Sequence, residues 1–145
     1  MPVGATFANI FMRFYESTWL SGCPAEYKPI FYRRYIDDTF LLFRHKDHSA
    51  LFFDYLNNKH SNIYFAMECE SCDKLPFLVC LVHRNSDKFE WSVFKKDSFT
   101  GLGMSYISNC SFKIKLTCIQ TLLSYAYRVC SNYMALHNEF CFLRD

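Results

Sequence analysis

The stretch from Tyr32 to Phe43, YRRYIDDTFLLF, constrains this chain more than any other, because two aromatic and branched apolar runs flank the bare pair Asp37-Asp38. Such runs, interrupted by two turn-tolerant residues, predict a β-hairpin, since Asp accepts the backbone angles of a tight turn. The tip then carries two carboxylates side by side. At an effective dielectric of ~20, two unit charges ~4 Å apart repel by roughly 4 kcal/mol, so a crowded tip calls for a proton or a cation. Mg²⁺, a hard ion that prefers oxygen ligands, suits grouped carboxylates. The plainer reading of an Asp pair is a solvated loop tip, and the pair alone does not decide between the two.

Hydrophobic content of 51% and aromatic content of 19% predict a folded domain rather than a disordered one. A chain of 145 residues can bury roughly two-thirds of its surface in one domain. The net charge of +2 permits nucleic-acid binding without demanding it. Eight cysteines raise the question of a disulfide framework, but several sit in apolar runs, as Cys80 does in FLVCLV. Reduced, mostly buried thiols are the expectation. The apolar start lacks a basic lead-in and carries Arg13, which does not read as a secretory leader; a nuclear or cytoplasmic, non-secreted protein is expected. No apolar run reaches the ~18–20 residues of a membrane span.

Along the chain, Phe7, Ile10, Phe11, Phe14 and Tyr15 recur at spacings of three and four, predicting a helix with one apolar core face that ends at Ser21-Gly22-Cys23-Pro24. After the hairpin, a short helix from His48 to about Lys59 is expected to bury Leu51, Phe52, Tyr55 and Leu56. Residues 62–68 alternate like a strand, and LPFLVCLVHR (75–84) reads as one continuous buried strand with a hairpin partner at 89–94. Gly101 and Gly103 mark a break. A helical stripe follows through Ile114, Ile119, Leu122, Leu123, Ala126, Val129 and Cys130, and then a second helix from about Asn132 to Leu143. Two regions are expected: an α+β part over 1–97 and a helical, locally basic extension over 98–145.

Tyr35-Ile36-Asp37-Asp38 matches the Tyr-x-Asp-Asp signature of reverse transcriptases, and its neighbours carry the likeness further. FANIFM at 7–12, followed by FYE, resembles the motif B helix of Penelope-like retroelement reverse transcriptases. YRRYIDD resembles their motif C, and NIYFAMECE with LPFL their run through motif D into motif E. FTGLGMSY and the segment at Ser131-Asn132 are similar as well, so the resemblance covers nearly the whole chain.

The resemblance implies a fragment of an RNA-directed DNA polymerase, with a partial ferredoxin-like palm at 1–97 and a thumb-like region at 98–145. It implies a two-metal Mg²⁺ site for nucleotidyl transfer, with Asp37 the main ligand and Asp38 its neighbour. Tyr35 would lie against the primer terminus, Asn9 and Gly4 would approach template and nucleotide, and Leu75 to Leu81 would form a strand bracing the primer. Lys113, Lys115 and Arg128 would contact backbone phosphates. The implied partners are an RNA template, a DNA primer and deoxynucleoside triphosphates, with no membrane, and a missing fingers-and-palm segment besides. The family's motif A, which carries another essential carboxylate, has no match here, since Met1 falls within motif B. Val79 stands where the family usually has Asp, and Asp97 where it has Pro. An isolated chain that does not complete the metal site is therefore expected.

Two other readings stand beside this one. A non-catalytic retroelement remnant would bind nucleic acid through the basic thumb-like helix. Cys69-Glu70-Ser71-Cys72 is a lone CxxC, and a small zinc or redox module on it would need further ligands such as Cys80 or His83. His45 and His48, on a charged connector, are expected to be solvated.

Overall fold

The computed structural model describes residues 3–86, 88–99, 104–105 and 107–144. It is α+β, with a two-stranded and a three-stranded antiparallel sheet among the described residues. Contacts divide the chain into two compact units, Met1–Glu68 and Cys69–Asp145. The division drawn from the sequence fell later, after residue 97.

In the first unit, helix α1 spans Val3–Ser21 and ends where the Gly22 N–H bonds the Thr18 carbonyl at 3.0 Å, just ahead of Pro24. Strands β1 (Phe31–Tyr35) and β2 (Asp38–Leu42) form the expected hairpin, with Tyr35 opposite Asp38. Helix α2 spans Asp47–Asn57. Trp19, Cys23, Phe52 and Leu56 make the core. Phe52 is only 1% exposed, a burial that contributes about 2–3 kcal/mol. The Tyr55 hydroxyl donates to the Trp19 carbonyl at 2.9 Å and ties α2 to the end of α1.

The core face expected on α1 is corrected: Phe7, Ile10 and Phe14 are 68%, 63% and 67% exposed. The helix turns Tyr15 and Trp19 to the core and, about 100° per residue around, Asn9 and Glu16 to the hairpin. The apolar stripe is left on the far side. Leu51 on α2 is exposed as well.

Residues 62–68 do not form a strand. Their alternation is real, since Ile63 and Phe65 pack on the core while Tyr64 is exposed. Instead of a neighbouring strand, the Asn57 amide takes the Phe65 backbone: its Oδ1 accepts from the Phe65 N–H at 2.8 Å and its Nδ2 donates to the Phe65 carbonyl at 3.3 Å.

In the second unit, β3 (Lys74–Phe77), β4 (Cys80–Arg84) and β5 (Phe89–Val93) form a meander. The single strand expected over 75–84 is thus two strands, reversed at Leu78-Val79, with Phe77 opposite Cys80. Pro76 explains the preference: it cannot donate to a ladder, and β3 is an edge strand. Helices α3 (Phe112–Val129) and α4 (Tyr133–Arg144) follow. Asn132 caps α4, its Oδ1 accepting the Ala135 N–H at 2.8 Å.

The stripe on α3 is covered only near its end, where Ala126 and Val129 are buried; Ile114, Ile119, Leu122 and Leu123 are exposed. Trp91 and Ser131 exchange two hydrogen bonds of 2.9 Å, and Lys95 pairs with the buried Glu139. The break expected at Gly101 and Gly103 lies outside the described residues. All eight cysteines are free thiols, but only Cys23 is buried, against the expectation of mostly buried ones. Among the described residues, no helix is long and apolar enough to cross a membrane.

Candidate functional site

The hairpin tip is built by register. With Tyr35 paired to Asp38, the two-residue turn is Ile36-Asp37, one position earlier than the Asp37-Asp38 turn expected. Ile36 has φ 55°, and Asp37 is not in the positive-φ region, the pattern of a type II′ turn that ordinarily takes Gly first. A β-branched residue held there costs on the order of 1–3 kcal/mol. Asp would tolerate such angles better, so local preference alone does not choose this turn.

Tertiary contacts choose it. On one face of the hairpin, Tyr32 and Arg34 point to α1. The Tyr32 hydroxyl donates to Glu16 Oε1 at 2.8 Å, and Arg34 Nε donates to the same oxygen at 2.5 Å. Arg34 Nη1 donates to Asn9 Oδ1 at 2.9 Å and to the Ile36 carbonyl at 2.8 Å. The Arg34 and Glu16 side chains keep only 13% and 11% of their exposure. A hydrogen bond to a charged group is worth ~1.5–3 kcal/mol, enough to offset the strained turn. Burial, and after it the hydrogen bond and negative charge of Glu16, push the Tyr32 phenol well above its ordinary pKa.

On the opposite face, Tyr35 stands across from Asp38, and both are exposed. Asp37 is exposed at the turn. The carboxylates therefore face water at a tip that Arg34 anchors through the Ile36 carbonyl. Among the described residues, no group of three or more His, Cys, Asp or Glu gathers to hold a metal ion. Asn9 lies on α1 beside the tip, joined to it through Arg34. Gly4 sits in the first turn of α1 in open space, with nothing beyond its chain neighbours and its own helix backbone within 4 Å of where a Cβ would be.

Lys113, Lys115 and Arg128 all lie on α3, in the other unit. At 100° per residue, Lys113 and Arg128 fall about 60° apart around the helix and about 22 Å along it, while Lys115 points roughly 160° away from Lys113. They do not form one stripe. Cys69 and Cys72 are exposed, and Cys72-Asp73 is a turn with both φ values positive, at 51° and 59°. Arg84 holds it, pairing with Glu70 at 2.8 Å and Asp73 at 2.6 Å. Leu78, in the β3–β4 turn, is likewise at positive φ, 56°. His45 is exposed and His48 half-buried, their rings 4.9 Å apart.

The sequence did not single out Glu16, Tyr32 or Arg34. A signal was present: Asn9 and Glu16 share a helix side opposite the Phe7, Ile10 and Phe14 stripe, and Tyr32 and Arg34 alternate in step on β1. Polar residues at matched periods on neighbouring elements are a pairing signal. No family model, no curated protein and no solved structure matches the chain.

Proposed function

We propose that this chain carries the motif B helix and Asp-Asp hairpin of a reverse-transcriptase palm, followed by a thumb-like region, and that it serves RNA-directed DNA synthesis. One observation supports this above the others: a single guanidinium bonds both Asn9, in FANIFM, and the Ile36 carbonyl, in YIDD. Two segments chosen on sequence likeness are thereby in contact at the carboxylate tip.

The donor chemistry suits Mg²⁺, because Asp37 and Asp38 are hard oxygen ligands left open to solvent. Their number does not complete a site among the described residues. Asp37 and Asp38 would hold the ion together with a carboxylate from a motif A segment. Bound there, Mg²⁺ supplies Lewis-acid activation of a primer 3′-hydroxyl and steadies the leaving pyrophosphate. The chain's own part is positioning. Tyr35, exposed beside Asp38, offers an aromatic surface on which a terminal nucleotide can stack. Lys113 and Arg128, on one side of α3, suit phosphate contacts along a backbone.

The test is primer extension on an RNA template with Mg²⁺. The 145-residue chain alone is expected to be inactive. Joined to a reverse-transcriptase fingers-and-motif-A segment, it is expected to extend the primer, and Asp37→Ala to reduce extension at least ~100-fold, since even outer partners of a metal ligand are worth ~10–100-fold. Undiminished synthesis by Asp37→Ala would refute the assignment.

A further inference from the structure

We propose that Arg34 is a positioning residue, a largely buried guanidinium that fixes the conformation of the Ile36-Asp37 turn and so the direction in which Asp37 leaves the tip. The consequence for metal binding rests on the reading of Asp37 as a metal ligand; the consequence for the turn does not.

Ile36 is at φ 55°, where its branched side chain is strained. Its carbonyl is held at 2.8 Å by Arg34 Nη1. Arg34 itself cannot swing, because Nε is fixed to Glu16 Oε1 at 2.5 Å and Nη1 also to Asn9 Oδ1 at 2.9 Å. Tyr32 braces the same Glu16 oxygen from the neighbouring position on that face. The planar fork of a guanidinium reaches three acceptors on two elements at once, two on α1 and one in the turn, which a lysine ammonium on its flexible stem does not reproduce. Asn9, read from the sequence as approaching nucleotide, commits its side-chain oxygen to this brace.

Charge and geometry predict opposite outcomes when Arg34 is replaced. As a charge, Arg34 repels a cation at Asp37-Asp38, and removing it leaves Glu16 uncompensated, so cation binding would tighten. As a brace, its loss lets Ile36 relax to negative φ and the carboxylates scatter, so cation binding weakens. Partners that orient a ligand are typically worth ~10–100-fold in metal affinity. The sign of the change decides.

The experiment uses the labelled 145-residue chain, Arg34→Met, Arg34→Lys, and Arg34→Met combined with Ile36→Gly. Backbone couplings and carbon shifts at 36–38 report the turn by NMR, and Mn²⁺ titration reports cation affinity through line broadening at the tip. Arg34→Met is expected to lose the positive-φ signature at position 36 while the Trp19 and Phe52 signals stay in place, and to bind Mn²⁺ about tenfold more weakly. Arg34→Lys is expected to behave alike. Ile36→Gly, which removes the strain, is expected to restore both the turn and the affinity in the double variant. A wild-type turn in Arg34→Met, or equal or tighter Mn²⁺ binding by it, would overturn the proposal. If Arg34→Met does not fold, Arg34→Lys is read by the same criteria. Absence of any Mn²⁺ broadening at the wild-type tip means that the two carboxylates do not hold the ion without a motif A partner, and the couplings at Ile36 alone then decide on Arg34.

Discussion

Replacing Glu16 with Ala tests the network at its hub. Glu16 Oε1 is the shared acceptor of the Tyr32 hydroxyl and Arg34 Nε, at 2.8 and 2.5 Å, and its side chain keeps 11% of its exposure. Removing one partner of a buried ion pair leaves the other charge uncompensated and costs ~3–5 kcal/mol. Water cannot easily repair the loss, because Arg34 is also nearly covered, at 13%. A unit the size of Met1–Glu68 has a total stability of roughly 3–10 kcal/mol. Glu16→Ala is therefore expected to remove about a third of it or more. Glu16→Gln keeps an oxygen acceptor of the same shape and is expected to cost less, about 1–2 kcal/mol, as a charged hydrogen bond becomes a neutral one.

Urea denaturation read by Trp19 fluorescence measures this directly. The chain has two tryptophans, and Trp91 lies in the second unit, so Trp91→Phe leaves a reporter for the first unit alone. Trp19 is buried at 6% exposure and belongs to the core, so its emission shifts when that core opens. A loss of less than about 0.5 kcal/mol in Glu16→Ala, within the range of ordinary surface substitutions, would refute the claim that this carboxylate anchors the hairpin.

Two further outcomes follow from the same geometry. The Tyr32 pKa is raised in the folded state by burial first and Glu16 second, so its contribution is intact below the ordinary tyrosine value near ~10 and is lost as pH rises toward the folded value. The urea midpoint of the first unit is expected to fall above pH ~10 and to fall less in Tyr32→Phe; equal alkaline loss in both proteins would remove Tyr32 as the cause. Leu78 is a non-glycine residue at φ 56° in the β3–β4 turn, so Leu78→Gly is expected to stabilise the second unit by about 0.5–1 kcal/mol by urea denaturation with Trp91 as reporter and Trp19→Phe in the background, and a destabilisation of about 1 kcal/mol or more would contradict the strain assigned to it.

What was legible in the sequence followed from period and punctuation. The α1 spacing and its Gly22-Cys23-Pro24 stop, the aromatic hairpin around Asp37 and the Asn132 start of α4 are local signals, and the structure keeps them. What was not legible depended on partners distant in sequence. The apolar stripe of α1 predicts burial on some face, but the hairpin selects the Asn9 and Glu16 side and leaves Phe7, Ile10 and Phe14 uncovered. The alternation over 62–68 predicts a strand, but a side chain, Asn57, supplies what a strand partner would have given. Pro76 is the local sign against a single buried strand over 75–84, and the continuous apolar run around it masks that sign.

The turns share a logic that explains why residue preferences misplaced them. Ile36 and Leu78, and the pair Cys72-Asp73, adopt positive φ without glycine. At each, a donor from outside the turn's central residues holds a tip carbonyl: Arg34 Nη1 takes Ile36, the Phe94 N–H takes Val79 at 2.9 Å, and the Arg84 N–H takes Asp73 at 2.8 Å. The Tyr125 hydroxyl adds a second bond to Val79 at 3.1 Å. A strained two-residue turn persists when its surroundings over-determine it, so its position follows the anchor rather than the most turn-tolerant residue. Of these anchors, Arg34 alone is a nearly buried charged side chain that takes the tip through its guanidinium and is itself bonded to two residues of another element. That is the arrangement required where a small rotation of the tip would redirect a carboxylate, and it distinguishes the Asp37 turn from the other strained turns of the chain.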